Sequence, residues 1–206
     1  MAASEDDSEK PPRLKTWDEA YDGATPWDIG RPQPELMRLG ADGEVVGDVL
    51  DVGCGTGDNA IHFASLGFRV FGVDIAPKAV ARALAKAKDR GVDAEFAVAD
   101  ALDLGKLGRR FDAILDSSLF HTFDDEERTP FARSLAAAAK PGGRYHMLCF
   151  SEHEPAGWGP RRVTQAEIRA TFSEGWIVER IRPASIETSH EGRVVRGWLA
   201  SIKRDA

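Results

Sequence analysis

A glycine-rich segment at residues 50–57, with the sequence LDVGCGTG, carries the clearest chemical signal in this chain. It follows a predicted strand and opens a predicted helix, so Gly53, Gly55 and Gly57 lie in a turn where a ligand can approach the backbone closely. A dinucleotide-binding turn has the pattern Gly-x-Gly-x-x-Gly, but the last position counted from Gly53 is Asp58. A pyrophosphate would meet that carboxylate, so the turn favours a ligand with a different distribution of charge.

Acidic residues lie at the ends of three successive predicted strands, and each could contact a nucleoside cofactor. Asp51 lies in the glycine-rich segment, where the alternative is a purely structural hydrogen bond within the turn. Asp74 is placed to accept hydrogen bonds from both hydroxyls of a ribose. Asp100 could accept from an adenine amino group or simply cap a helix. S-adenosylmethionine (SAM) suits this pattern because it combines an amino group and a sulfonium with adenosine, and we expect Ile75 and Ala101 to contact it too.

A second group of residues could form an acceptor pocket beside the expected position of the methyl group. Its predicted wall consists of Trp27, Phe120, His121, His153 and Trp158. Asp116 and His121 flank the exit of the fourth predicted strand, where either could act as a general base toward a nitrogen acceptor. A surface position beside a helix is the alternative for His121, and Trp17 and Tyr21 could simply pack the N-terminal segment. We expect Trp27 and Asp116 to contact the cofactor as well.

The elements that must position these side chains alternate in type along the chain. Short β-branched or apolar runs predict strands at residues 49–52, 69–73, 95–99, 111–116 and 145–150. One helix is predicted over residues 124–139, and another begins at Thr164, whose spacing to Glu167 indicates a capping box. Residues 176–181 and 194–202 are typical of a closing β-hairpin. This alternation predicts βα units that feed a mostly parallel sheet, with ligands at the carboxyl ends of its strands.

The glycine-rich segment, Asp74 and Asp100 together resemble the three leading motifs of class I SAM-dependent methyltransferases. The resemblance runs from residue 48 to the end and implies a doubly wound, mostly parallel α/β sheet of seven strands, Rossmann-like, with an antiparallel C-terminal hairpin. Residues 25–34 (TPWDIGRPQP) are similar to the N-terminal stretch of thiopurine and thiol methyltransferase-like enzymes, which implies an aromatic flap over SAM. We therefore predict three regions, a disordered acidic leader (1–13), a flap (14–47) and a SAM-dependent methyltransferase domain (48–206).

Residues 116–121 (DSSLFH) look like the Asp-Ser-x-Leu-Phe-His motif of bacterial small-molecule methyltransferases, whose acceptors are heterocycles, phenols or chalcogen compounds. That likeness implies methyl transfer to a sulfur, nitrogen, oxygen or other chalcogen atom of a small molecule. The chain has no Asn/Asp-Pro-Pro-Tyr motif after the fourth predicted strand, which argues against methylation of nucleic-acid bases.

The composition also bears on the partners. The chain has 206 residues, of which 34 are acidic and 27 basic, and its net charge of −7 offers no general attraction to nucleic acid or anionic lipid. Cys54 and Cys149 suggest neither a disulfide framework nor a metal site, so we expect no metal and a cytoplasmic enzyme that is a monomer or a weak homo-oligomer. Two alternatives are a nicotinamide-dependent oxidoreductase, which should have the third glycine, and a non-catalytic methyltransferase-like binding module, which should have lost the SAM motifs.

Overall fold

The computed structural model describes residues 13–205, which form a seven-stranded mixed sheet flanked by helices. Along the chain the helices are α1 (Arg13–Ala20), α2 (Pro34–Ala41), α3 (Asp58–Ser65), α4 (Pro77–Asp89), α5 (Asp125–Ala138) and α6 (Gln165–Thr171). The strands are β1 (Asp48–Val52), β2 (Arg69–Asp74), β3 (Glu95–Val98), β4 (Phe111–Ser117), β5 (Ala139–Phe150), β6 (Trp176–Glu187) and β7 (Val194–Arg204). Within these residues no helix is both long and apolar enough to span a bilayer. The predicted leader (1–13) lies outside the described residues except for Arg13.

The strands are arranged in the order β3-β2-β1-β4-β5-β7-β6. The first five strands of the chain run parallel to one another, and β7 lies antiparallel between β5 and β6. The direction of winding reverses between β1 and β4, and open α/β sheets bind ligands at such a switch point, beyond the carboxyl ends of the strands. The predicted seven-stranded, mostly parallel sheet with an antiparallel C-terminal hairpin is therefore confirmed.

Strand β5 shows how the sheet divides the hydrophobic core. Tyr145 and Met147 belong to a cluster with residues of α5 and α6, whereas Leu148 and Phe150 belong to a second cluster with residues of α2 and α3. Successive side chains of a strand point to opposite faces, so helices cover both faces of the sheet. This double cover explains why the parallel strands have nearly continuous apolar sequences.

The ends of some elements differ from the sequence-based prediction. The helix predicted over residues 124–139 is α5, with Asp124 as its N-cap in a capping box with Glu127. The strand predicted over residues 145–150 is β5, which begins earlier, at Ala139, directly after the helix, and includes Pro141, Gly142 and Gly143. The glycines are accommodated because the pairing with β4 is irregular there, and the register shifts within the first residues of β4.

The segment predicted as a flap (14–47) contains two helices. Helix α1 lies against α4, where Asp18 accepts a hydrogen bond from the backbone amide of Lys78 (2.8 Å). Helix α2 buries Leu36 and Leu39 completely in the core. Helix α2 is thus part of the hydrophobic core, and a flap formed by the stretch between the two helices stays a prediction.

The C-terminal hairpin is longer than its sequence pattern predicted. Strand β6 continues to Glu187 instead of ending near residue 181. Pro183 interrupts the pattern, but β6 is an edge strand, where a residue without an amide proton is tolerated. The additional length carries the hairpin tip to the carboxyl edge of the parallel strands, because Phe150 at the end of β5 pairs with Gly197.

Candidate active site

A cavity of about 560 Å³ opens at the carboxyl ends of the parallel strands. Its volume falls in the range usual for small-molecule sites, roughly 300–1,000 Å³. We call one side the strand-end wall, which consists of Gly53, Asp74, Ile75, Ala99, Asp100, Ala101, Ser117, Ser118 and Leu119. We call the other side the loop wall, which consists of Trp17, Tyr21, Pro26, Trp27, Gln33, His121, Thr122, Phe150, Trp158, Gly159, Pro160, Ile186, Glu187, Thr188 and His190.

The turn between β1 and α3 uses its glycines in two ways. Gly53, Gly55 and Gly57 all have positive φ angles, which favour glycine. Gly53 lines the cavity, where a Cβ atom would lie only 3.1 Å from the side chain of Leu119. A Cβ atom on Gly57 would lie 2.8 Å from the side chain of Ala83, so this glycine permits close packing of α4. Of the three, Gly53 is the glycine that opens the turn to a ligand.

Asp74 ends β2 and faces the cavity while it also supports the glycine turn. Its Oδ2 accepts a hydrogen bond from the Gly55 amide (2.9 Å), and its Oδ1 accepts one from the Ala76 amide (2.9 Å). Burial raises the pKa of Asp74, and the two backbone hydrogen bonds oppose that shift because they favour the charged form. A carboxylate offers about four acceptor sites, so Asp74 retains the capacity to bind both hydroxyls of a ribose.

Asp100 caps a helix and also lines the cavity, so its predicted contact with an adenine amino group stays a prediction. Its Oδ1 accepts a hydrogen bond from the Leu102 amide (2.9 Å) at the start of a 3-10 helix, Ala101–Leu107. The residue remains exposed in the strand-end wall, where Ile75 and Ala101 also lie. The second carboxylate oxygen of Asp100 is therefore accessible to a ligand in the cavity.

Asp51 lies beneath the glycine turn and does not line the cavity. Its Oδ2 accepts a hydrogen bond from the Ala60 amide in α3 (3.0 Å), whereas its buried Oδ1 has no hydrogen-bond partner among the described residues. Burial raises the pKa of Asp51 to about 8, and the neighbouring carboxylate of Asp116 adds to the shift. A buried, unpartnered carboxylate oxygen is destabilising unless a donor or a cation reaches it. Asp51 is therefore suited to a positively charged group bound at the turn.

Asp116 is completely buried below the cavity and organises the turn after β4. It accepts hydrogen bonds from the Leu119 amide (2.8 Å), the Phe120 amide (3.1 Å) and the Tyr145 hydroxyl (2.6 Å). Burial raises the pKa of Asp116 to about 7, and the three donors favour its charged form. The predicted roles in cofactor contact and as a general base are not supported by this position, because the carboxylate is enclosed by the chain's own donors. Asp116 instead positions the residues that follow it, including His121.

His121 lines the cavity with one ring nitrogen already occupied. Its Nδ1 accepts a hydrogen bond from the Phe150 amide (3.1 Å), and the two rings pack edge to face with centroids 4.8 Å apart. Because Nδ1 acts as the acceptor, the ring proton of the neutral form resides on Nε2. Burial lowers the pKa of His121 to about 3, and the positive charges of Arg162 and Arg128 contribute. The imidazole is thus a neutral hydrogen-bond donor at neutral pH, which argues against its predicted role as a base.

The other residues predicted for the acceptor pocket fall into two groups. Trp27 and Trp158 line the cavity, as part of the loop wall. Phe120 does not, because it is completely buried among core aromatic rings. His153 also lies away from the cavity, with its ring against Trp198 (centroids 5.2 Å apart). The structure therefore brings the two tryptophans and His121 together and leaves Phe120 and His153 outside.

Several cavity residues were missed by the sequence analysis. Ser118 has a left-handed backbone (φ 73°) although it is not a glycine, and such conformations cluster at functional sites. Its place in the DSSLFH motif could have pointed to it. Glu187 and His190 also line the cavity, from the hairpin tip. No local pattern could have shown this, because their position depends on how far β6 extends.

The N-terminal segment and the hairpin tip are joined by an ion pair between Arg31 and Glu187 and by four hydrogen bonds of Gln33 and Ser189, which we call the latch. The Gln33 side chain donates to the Glu187 carbonyl (2.8 Å) and accepts from the Glu187 amide (3.1 Å). Ser189 donates its amide to the Pro26 carbonyl (2.9 Å) and its hydroxyl to the Thr25 carbonyl (2.9 Å). Two segments that are far apart in sequence therefore form one continuous part of the loop wall.

These observations fit SAM as the ligand of the strand-end wall. Gly53 leaves room for the ligand, Asp74 can bind ribose hydroxyls, and the unpartnered Oδ1 of Asp51 suits a cationic amino group. Among residues 13–205, no group of three or more His, Cys, Asp or Glu side chains is arranged to hold a metal ion.

Comparisons with known proteins agree with this assignment. Residues 49–143 match the family model of a methyltransferase domain. The chain is 39% identical to 2-heptyl-1-hydroxyquinolin-4(1H)-one methyltransferase of Mycobacteroides abscessus, over 81% of this chain and 75% of the relative. It is 32% identical to probable thiol methyltransferase 2 of Arabidopsis thaliana, over 73% of this chain and 68% of the relative. A solved structure from work on the conversion of a disulfide bond into a thioacetal group during echinomycin biosynthesis is 36% identical, covers 93% of both chains and has a TM-score of 0.86.

The nicotinamide-dependent oxidoreductase and the non-catalytic binding module are therefore not the class of this protein. The predicted likeness to thiol methyltransferase-like enzymes is confirmed by the relatives. Sequence, fold and site geometry agree, and the chain belongs to the class I SAM-dependent methyltransferases.

Proposed function

We propose that this enzyme methylates an oxygen or sulfur atom of a small aromatic heterocycle, phenol or thiol, and that the acceptor atom is already ionised when it reacts. The observation that carries the proposal is His121, which presents a neutral N–H donor to an otherwise largely apolar cavity. Such a donor can orient an anionic oxygen or sulfur, but it cannot remove a proton from the acceptor. An acceptor with a low pKa loses its proton to water and needs no base from the protein.

The residues of the cavity divide the remaining work. SAM supplies the electrophilic methyl group on a sulfonium. Asp74 and Asp100 line the cavity, which supports a role for both in binding the adenosine part of SAM. Asp51 has a pKa of about 8 and an unpartnered Oδ1, so a cationic group bound at the glycine turn would favour its charged form. The tryptophans of the loop wall exclude water and hold a flat acceptor, and alignment of two reactants is the main contribution that a protein can make to such a displacement.

The relatives support this choice of acceptor class. The Mycobacteroides abscessus enzyme is named for a hydroxyquinolone, and the Arabidopsis protein for a thiol. Both acceptors can present an acidic hydroxyl or thiol. The net charge of −7 and the apolar cavity favour a small molecule over a nucleic acid. A cytoplasmic location and a monomeric or weakly oligomeric state remain predictions, as does the absence of a metal.

A panel of acceptors tests the proposal directly. The purified enzyme is incubated with SAM and matched hydroxyheteroarenes, phenols, thiols and amines, and the products are analysed by mass spectrometry. We expect methylated oxygen or sulfur compounds, with rates that rise as the pH passes the pKa of each acceptor and then level off. Efficient methylation of amines alone, or of RNA or protein without activity on any small molecule, would contradict the proposed acceptor class.

A further inference from the structure

The loop at residues 151–163, between β5 and α6, carries Trp158, Gly159 and Pro160 in the loop wall. Backbone hydrogen bonds join the two ends of the loop, from the Val163 amide to the Phe150 carbonyl and from the Glu152 amide to the Val163 carbonyl, both 3.1 Å long. The middle of the loop, where the cavity residues lie, needs another source of order.

The side chain of Arg162 provides that order. Its guanidinium donates hydrogen bonds to the carbonyl oxygens of Glu154 (3.3 Å), Trp158 (2.6 Å) and Pro160 (2.5 Å), and to that of Pro155. One planar group with five N–H donors therefore binds four backbone carbonyls spread over seven residues.

The same guanidinium also connects the loop to the aromatic part of the cavity. Its Cζ atom lies 5.5 Å from the ring centroid of Phe150 and 5.7 Å from that of Trp158. Gly159 packs closely here, since a Cβ atom on it would lie 3.3 Å from the Phe150 ring. The backbone amide of Phe150 is the donor that fixes His121. Arg162 is thus linked through Phe150 to the group that faces the acceptor, although it does not itself line the cavity.

We propose that Arg162 is a positioning residue that determines acceptor specificity by fixing Trp158 and Pro160 against Phe150. It acts on the shape of the acceptor side and leaves the strand-end wall unaffected. The proposal rests on the proposed function only in that the loop wall contacts the acceptor.

The adjacent arginine provides a matched control. Arg161 pairs with Asp125 (2.7 Å) and Glu167 (2.5 Å), which belong to α5 and α6, and it does not line the cavity. A change from arginine to lysine at either position retains the positive charge and removes the planar fork of donors. Comparison of the two variants therefore distinguishes the effect of a less ordered loop from the general effect of replacing an arginine on this surface.

The experiment compares R162K and R161K in steady-state kinetics, SAM binding and hydrogen exchange measured by mass spectrometry. For R162K we expect an increase of roughly tenfold in the KM of the acceptor, with kcat and the Kd of SAM within about twofold of the parent. The preference for a bicyclic over a monocyclic acceptor should fall, and exchange should become faster in residues 154–160. R161K should leave all five quantities close to the parent values.

Several results would overturn the proposal. One is that R162K has the same acceptor KM, the same acceptor preference and the same rate of hydrogen exchange in residues 154–160 as the parent. Another is a parallel loss of SAM affinity and acceptor binding, which would indicate a general structural role. If R162K does not fold, R162Q provides the same test, and failure of both variants to fold would also count against a role limited to the loop. The exchange measurement needs no acceptor, so it separates failure of this proposal from failure of the proposed function.

Discussion

The two walls of the cavity are held in place by different means. The strand-end wall follows directly from the parallel sheet, because Gly53, Asp74 and Asp100 lie where β1, β2 and β3 end. The loop wall combines loops with the ends of helices and strands, and side chains such as Gln33 and Arg162 hold its loops by hydrogen bonds to backbone groups. Under the proposed function, cofactor binding depends on the fold, whereas acceptor binding depends on a few separable contacts.

The largest effect is expected from Asp74→Ala, which tests the strand-end wall. The variant loses the proposed acceptors for two ribose hydroxyls and the support of the Gly55 amide. Each hydrogen bond to a charged group contributes about 1.5–3 kcal/mol, so SAM affinity should fall by at least about 100-fold. Calorimetric titration with SAM measures the change. Unaltered SAM affinity in a D74A protein that is shown to be folded by circular dichroism would contradict the assignment.

His121 tests the chemistry of the loop wall. His121→Ala removes the N–H donor, and kcat/KM for a hydroxylated acceptor should fall by about tenfold. His121→Asn should recover part of the loss, since its amide can accept from the Phe150 amide and still donate. The pH profile between pH 6 and 9 should keep its shape in both variants, because a histidine with a pKa of about 3 does not titrate there. If one limb of the pH profile disappeared when His121 was replaced, His121 would instead be identified as a general base.

The latch tests whether the N-terminal segment and the hairpin tip act as one unit. Gln33→Ala removes two hydrogen bonds between them, and neutral hydrogen bonds each contribute about 1 kcal/mol. The acceptor KM should rise by about fivefold, and limited proteolysis should cleave residues 21–33 faster than in the parent. The Kd of SAM should change less than the acceptor KM. An equal change in both would show that the segment covers the cofactor and the acceptor alike.

The last test concerns Asp51, and it measures how the stability of the folded protein depends on pH. The pKa of Asp51 is raised from 3.8 to about 8 in the folded protein, so the folded state binds this proton more tightly than the unfolded state. The stability that the folded state gains from binding this proton is fully present below about pH 4. It decreases as the pH rises and is lost above about pH 8. Asp51→Asn cannot titrate, and the linked free energy amounts to about 4 kcal/mol between pH 5 and pH 8. The Tm of the variant relative to the parent should therefore increase by roughly 10 °C over this range. The matched control is Asp100→Asn, which changes an exposed carboxylate. If the difference in Tm between D51N and the parent stayed constant from pH 5 to pH 8, the raised pKa of Asp51 would be contradicted.

The sequence predicted the strand-end wall well because its residues are fixed by local patterns. A strand, a glycine turn and a following acidic residue are adjacent in the chain, so their spacing reveals their position in the fold. The loop wall depends on tertiary contacts that no local pattern records. Asp116 illustrates the limit, since its motif placed it near the site, but only the packing of Tyr145 shows that its carboxylate is enclosed.

The hairpin shows a second limit of sequence reasoning. Its existence followed from two apolar runs, but the polar residues and Pro183 of β6 concealed its length. The position of His190 on the cavity could not be inferred without that length. An edge strand with one exposed face has a weaker pattern than a buried parallel strand, which is why the error fell on this element.

The bridge between Ser151 and Val163 closes the loop that carries Trp158 at its base. Residues added between these two positions extend a loop whose ends stay fixed on the sheet, and the entropic penalty of a longer loop grows only slowly with its length. In this chain, an insertion or deletion between the two positions should therefore reshape the loop wall without a compensating change in the strand-end wall.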